Sequence, residues 1–141
     1  MAKYKNNILQ LKTLFQALGD ANRLRIVAVL QHYETLCVCQ LVELLQLANS
    51  TVSKHISLLK QAGIIESEKR GRWVYCRLNH DADSEWGAVH EAVLQQLAHD
   101  QQTRTDHQTM KSILRIPPEE LCRRQQCRCE PEPAKAKSKV S

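Results

Sequence analysis

A mainly helical fold carrying one small β-hairpin is predicted by three features of the 141-residue sequence. Four successive runs before residue 63 repeat apolar residues every three or four positions, the spacing of a helix with one buried face. The period then falls to two across residues 64–78, where two β-rich segments flank a glycine. The link between the third and fourth helical runs is short enough to be only a tight turn.

In the first run, residues 6–18, Ile8, Leu11, Leu14, Phe15 and Leu18 form one stripe, and Gly19 with Asp20 breaks it. Asp20 or Asn22 can cap the second run, which carries Leu24, Ile26, Val27 and Leu30 up to Gln31 or His32. The third run is read as Cys37–Leu47, followed by a turn at Ala48, Asn49 and Ser50. Ser50 or Thr51 opens the fourth, with Val52, Ile56, Leu59 and Ala62 inward and Gly63 as its stop. Ile64–Lys69 and Trp73–Leu78 read as strands joined through Arg70, Gly71 and Arg72. A further helix is expected from about Asp83 to Gln102, with Trp86, Val89, Val93, Leu94 and Leu97 on one side. A short helix at Met110–Arg115 ends at Pro117 and Pro118, and the segment after Cys129 has the composition of a disordered tail.

Two short helices, a tight turn and a hairpin with a basic tip make a winged helix-turn-helix pattern, whose second helix enters the DNA major groove. Ser50, Thr51, Ser53, Lys54 and His55 cluster near the start of that helix, where base edges come closest. Lys69, Arg70 and Arg72 at the hairpin turn are placed for backbone phosphate. Charge follows the same division. Residues 50–77 carry a balance of +4, residues 78–110 one of −5, and residues 111–141 again +4, so one face is suited to a polyanion. No stretch approaches the roughly 18 apolar residues of a membrane span, and the start lacks a signal-peptide pattern, so a cytoplasmic protein is expected. There the six cysteines stay reduced, which favours metal, metalloid or redox chemistry over a disulfide framework. Two units are expected: residues 1–105 as the DNA-binding and dimerisation domain, and residues 106–141 as a cysteine-containing, largely flexible basic tail.

The run from Leu14 to Asn79 resembles the ArsR/SmtB family of metal-sensing repressors. It does so through LGDANRLRIVAVL in the second helix, STVSKHISLLKQAGII across the recognition helix and RGRWVYCRLN in the wing. The resemblance implies a homodimer formed by the first and last long helices, bound to palindromic operator DNA and leaving it when an inducer binds. It also draws attention to Cys37 and Cys39 within TLCVCQLV. The arsenic-responsive branch carries Glu-Leu-Cys-Val-Cys-Asp-Leu here, often with a further Cys. This chain keeps LCVC but has Thr35, Gln40 and Val42 at the differing positions. Trivalent arsenic and antimony, As(III) and Sb(III), favour three thiolates, so a third sulfur must come from elsewhere.

Cys122, Cys127 and Cys129 supply candidates in the tail, with Arg123, Arg124 and Arg128 beside them to favour thiolates. Either the tail folds back to complete a site with Cys37 and Cys39, within or across subunits, or its three cysteines form a site of their own. The first is favoured, because only a site touching the third helix has a mechanical route to the recognition helix. Cys76 alternates with Val74 and Leu78 on an apolar face and reads as core. Asp81, Asp83, His90 and His99 do not reproduce the spacing of the zinc sites known on the last helix of some relatives. The expected function is therefore an operator-bound repressor released by As(III) or Sb(III), including methylarsenite. A zinc-, cadmium- or redox-responsive repressor of the same fold is the alternative. Without C-x-x-C, a glycine-rich phosphate loop or a Cys paired with a positioned base, an enzyme is not expected.

Overall fold

Helix α1 (Asn7–Leu18) opens the computed structural model, which describes residues 7–129, with side chains from 8 to 125. Asp20 caps α2 (Ala21–His32): its Oδ2 accepts from the backbone N–H groups of Asn22 at 2.9 Å and Arg23 at 3.1 Å. α2 is the central helix, with Ile26, Val27, Val29 and Leu30 all in the core.

Residues expected to start the third helix instead form a strand, β1 (Leu36–Cys37), and α3 (Val38–Leu45) begins one residue after Cys37. The next turn is built by Gln46, in the left-handed region at φ 57°, and it precedes the expected Ala48–Ser50 turn. α4 (Asn49–Gln61) accordingly starts ahead of Ser50, with Ala48 rather than a hydroxyl residue at its N-cap. Gly63, at φ 76°, ends it as predicted: the N–H groups of Gly63 and Ile64 turn back to the carbonyls of Lys60 (2.9 Å) and Leu59 (3.0 Å).

β2 (Ile65–Arg70) and β3 (Trp73–Leu78) pair antiparallel across a two-residue loop, and Gly71 takes the positive φ, 64°, that its first position demands. β1 adds to the other edge of β3, with Leu36 opposite Cys76 and Cys37 opposite Tyr75, so the sheet has three strands in the order β1-β3-β2 rather than a lone hairpin. α3, its turn, α4 and the β2–β3 hairpin make up a winged helix-turn-helix.

The C-terminal third departs most from expectation. α5 (Glu85–Ala98) stops short of Gln102, and its apolar stripe packs on α1 and α2, burying Trp86 and Leu94. α6 (Gln101–Ile113) and α7 (Pro118–Cys129) follow, so the boundary expected at residue 105 falls inside a helix. The short helix expected at Met110–Arg115 is the end of α6. Pro117 and Pro118 close α6 as predicted, but Pro118 also opens α7 at a position where its missing N–H costs nothing. The hydropathy pattern fades along α6 because half its buried face is polar: Thr103, Asp106, Met110 and Ile113 keep helical spacing. Asp106 is 3% exposed and receives both arms of Arg25, Nε at 2.9 Å and Nη2 at 3.0 Å, which ties α6 to α2. Asp106→Ala leaves Arg25 without its partner. We expect the midpoint of urea unfolding to fall by the equivalent of about 2 kcal/mol, less than for a fully buried pair because Arg25 is partly exposed.

Among the described residues no helix is long and apolar enough to cross a membrane. α7 lies against α3 with Leu121 fully buried, which places the tail's first cysteine beside the pair on α3.

Candidate thiol site beside the recognition helix

Two residues one apart on a regular helix point to different sides and do not meet. Cys37 and Cys39 meet because only Cys39 is helical. Cys37 is extended (φ −73°, ψ 147°) as the N-cap of α3, and the switch from strand to helix brings the two sulfurs to 3.2 Å, with Cys39 Sγ–H donating to Cys37 Sγ. The expectation that an inducer must distort a helical Cys37–Cys39 pair is therefore corrected: that pair is already closed.

The local sequence holds Cys37 in place. Its backbone N–H donates to Gln40 Oε1 at 2.8 Å, and its sulfur faces the first N–H groups of α3. Bonding from Cys39 is the largest cause, joined by backbone N–H groups of Cys39, Val38 and Gln40, and together they outweigh burial to hold the Cys37 thiol down at about 7. Cys39, the donor in this pair, is pushed up by that bond, by burial and by the charge on Cys37. One thiolate and one thiol thus share the proton at neutral pH. A titration of ultraviolet thiolate absorbance should show one group ionising with a midpoint near pH 7. Its thiolate signal is lost as pH falls through that value, and the whole step is absent in Cys37→Ser.

Cys122 of α7 is the third sulfur. It is half-buried and close enough for its ionisation to be raised by burial first and by the charge of Cys37 next, with Arg72 of the wing opposing. The expected help from Arg123 and Arg124 is not what acts on it, since both guanidinium groups are paired with Glu120. Cys127 and Cys129 lie in α7, but their side chains fall outside the described residues. Gln125, one turn beyond Cys122 and 2% exposed, clamps α7 to the site: its Nε2 donates to the Cys39 carbonyl at 2.8 Å. Its Oε1 is enclosed without a hydrogen-bond partner. Nothing in the sequence pattern marked Gln125, a polar residue in a charged segment. Cys76 is fully buried in the sheet, and burial pushes its thiol up to about 11.

Among the described residues, no three His, Cys, Asp or Glu side chains already stand in an arrangement that would hold an ion. The Cys37–Cys39 contact is closed, whereas Cys122 approaches from a separate helix. The three sulfurs open onto a cavity of about 390 Å³ whose opposite walls are α4, through Asn49, Ser53, Ile56, Ser57 and Lys60, and the wing, through Arg72, Trp73 and Val74.

The residues expected at DNA sort into two groups. Ser50, Thr51, Ser53 and Lys54 are exposed on the first half of α4, and Lys69, Arg70 and Arg72 are exposed at the wing tip. Arg70 lies over the Tyr75 ring at 4.7 Å and Arg72 over Trp73 at 5.0 Å, which stiffens the tip. His55 is different: it is half-buried, with Nδ1 3.1 Å from Arg23 Nη1, while Arg23 Nε donates to the Ala17 carbonyl at 2.7 Å. It links the recognition helix to α1 and α2.

Comparison with known proteins agrees with this arrangement. Residues 20–67 match the family described as bacterial regulatory protein, arsR family. The arsenic resistance transcriptional regulator ArsR1 of Pseudomonas putida is 34% identical over 83 residues, covering 59% of this chain and 64% of that protein. The cadmium resistance transcriptional regulatory protein CadC of Listeria innocua is 41% identical over 61 residues, covering 43% of this chain and 51% of that one. Among solved structures, an ArsR family transcriptional regulator, RHA00566, superposes with a TM-score of 0.51 at 28% identity, covering 63% of this chain and 88% of the other. The chain spans between about half and two thirds of the length of the curated relatives it matches. Helix-turn-helix, wing and sequence agree, and the chain belongs to the arsR family of bacterial regulatory proteins.

Proposed function

We propose that this protein is a transcriptional repressor that leaves its operator when trivalent arsenic is captured by Cys37, Cys39 and Cys122. The observation that carries the reading is that three thiols from β1, α3 and α7 face one cavity whose far wall is the recognition helix. A soft, thiophilic centre suits an all-sulfur donor set. The capture balances without redox chemistry. As(OH)3 exchanges three As–O bonds for three As–S bonds, and its hydroxyls leave as water with two protons from Cys39 and Cys122 and one from solvent, Cys37 being a thiolate already.

Because Cys122 does not yet stand in a ligating position, capture draws α7 and the start of α3 together. α3 packs directly on α4, so the same movement bears on the reader. A ligand shifts this equilibrium only by binding one state more tightly, and the unassembled third sulfur is what makes the two states differ. DNA contact falls to Ser50, Thr51, Ser53 and Lys54 on α4 and to Lys69, Arg70 and Arg72 on the wing, with His55 positioning α4 rather than reading bases. Antimony(III) shares the ligand preference and is expected to act likewise. Cys127 and Cys129 remain candidate donors, secondary to Cys122.

The working unit is a homodimer. Ile8 is 82% exposed, Leu9 59% and Phe15 55% on α1, an apolar face suited to a second copy, while the stripe of α5 is used mostly within the chain. Two reading helices then meet half-sites about one helical turn apart. Fluorescence anisotropy on the DNA upstream of its own gene tests both statements. The expected result is saturation at two chains per operator and release by arsenite at close to one equivalent per chain. Release by zinc, cadmium or peroxide but not by arsenite would replace this reading with the metal-ion or redox one.

A further inference from the structure

A three-coordinate inorganic centre needs little more room than a few water molecules, at about 30 Å³ each. The cavity beside the thiols is about 390 Å³, within the range of roughly 300–1,000 Å³ typical of sites for small organic molecules. Its lining is also more than a metal site requires: Ile56 from α4 and Trp73 and Val74 from the wing offer apolar surface facing the sulfurs. In addition, two of the sulfurs are already paired at 3.2 Å while the third is not assembled with them. A ligand that needs only two thiols and brings an organic group of its own would use what is preformed.

We propose that the site takes mono-organic trivalent arsenicals, R–As(OH)2, with Cys37 and Cys39 holding the arsenic and R, of about the size of a phenyl ring, occupying the cavity against Ile56, Trp73 and Val74. This rests on the arsenic reading above. Two As–O bonds are exchanged for two As–S bonds and the As–C bond is kept. The two hydroxyls leave as water, taking one proton from Cys39 and one from solvent, with no change of oxidation state. Cys122 is not needed for this ligand, because R fills the third position. R also lies directly on the recognition helix, so the wedge acts on α4 without the movement of α7 that inorganic arsenite requires.

The two ligands are therefore separable by mutation. The experiment is operator release by the full chain, followed by anisotropy, with arsenite and phenylarsenous acid titrated against wild type, Cys122→Ser and Val74→Phe. Cys122→Ser should lose arsenite response by on the order of 100-fold while its phenylarsenous acid response stays within about threefold. Val74→Phe, which fills the cavity, should do the reverse, weakening phenylarsenous acid by about tenfold or more and sparing arsenite. Trp73 fluorescence should also change more with the phenyl compound than with arsenite. If Cys122→Ser loses both ligands in parallel, or Val74→Phe weakens both equally, the cavity inference is wrong while the arsenic reading stands. If wild type responds to neither, the arsenic reading itself is wrong. Should Val74→Phe fail to fold by circular dichroism, the Cys122→Ser comparison decides alone.

Discussion

Replacing any one of Cys37, Cys39 and Cys122 by Ser should weaken the response to arsenite by on the order of 100-fold and leave operator affinity without inducer within about twofold. Loss of outer-shell partners alone costs metal sites 10–100-fold, and losing a donor should reach the upper end of that range. The variants are expected to fold. Ser is a favoured N-cap, so Cys37→Ser preserves the start of α3. Ser at 39 or 122 changes volume little, and Cys122 is only half-buried. Cys76→Ser is the control. Fully buried under the wing and outside the cavity, it should cost about 1 kcal/mol of stability through an imperfectly bonded hydroxyl and leave the inducer response unchanged. The measurement is the arsenite concentration for half-release, with urea unfolding alongside.

The second large effect comes from a residue with no donor atom. Leu121 is fully buried and anchors α7 on α3, one position before Cys122. Leu121→Ala removes the largest apolar contact of a helix that is otherwise charged, and core Leu→Ala changes cost about 2–5 kcal/mol. α7 is short and rests on one side of the molecule, so the loss should appear as local undocking, with the winged helix-turn-helix intact. Cys122 then leaves the site. Arsenite response should fall by roughly tenfold or more, Cys122 should become more rapidly alkylated, and operator affinity should be retained. An unchanged response with α7 undocked would remove Cys122 from the donor set.

Much of this was legible in the sequence. Asp20, Gly63 and Gly71 act where their chemistry predicts, as cap, helix stop and hairpin turn, because each satisfies a local backbone demand that neighbours alone decide. The pair Cys37 and Cys39 was also legible, since thiols one residue apart have few structural reasons to exist. What was hidden depends on partners distant in sequence. Leu36 and Cys37 become a strand only because Cys76 and Tyr75 offer an open edge, and this pairing is what turns two diverging positions into a sulfur contact. α6 was cut short because its buried Asp106 reads as surface until Arg25, 81 positions away, is placed against it. Gln125 could not be found at all, since its role rests on the Cys39 carbonyl 86 positions earlier. Of the tail cysteines, only packing singled out Cys122, by burying Leu121 beside it.

Arsenic X-ray absorption on the arsenite-loaded full-length protein, wild type beside Cys122→Ser, tests the proposed donor set most directly. Three sulfur neighbours in wild type and two sulfurs with one oxygen in the variant are expected. Three sulfurs in both would mean that α7 does not supply the third donor through Cys122, and the coupling of that helix to the DNA reader would have to be abandoned.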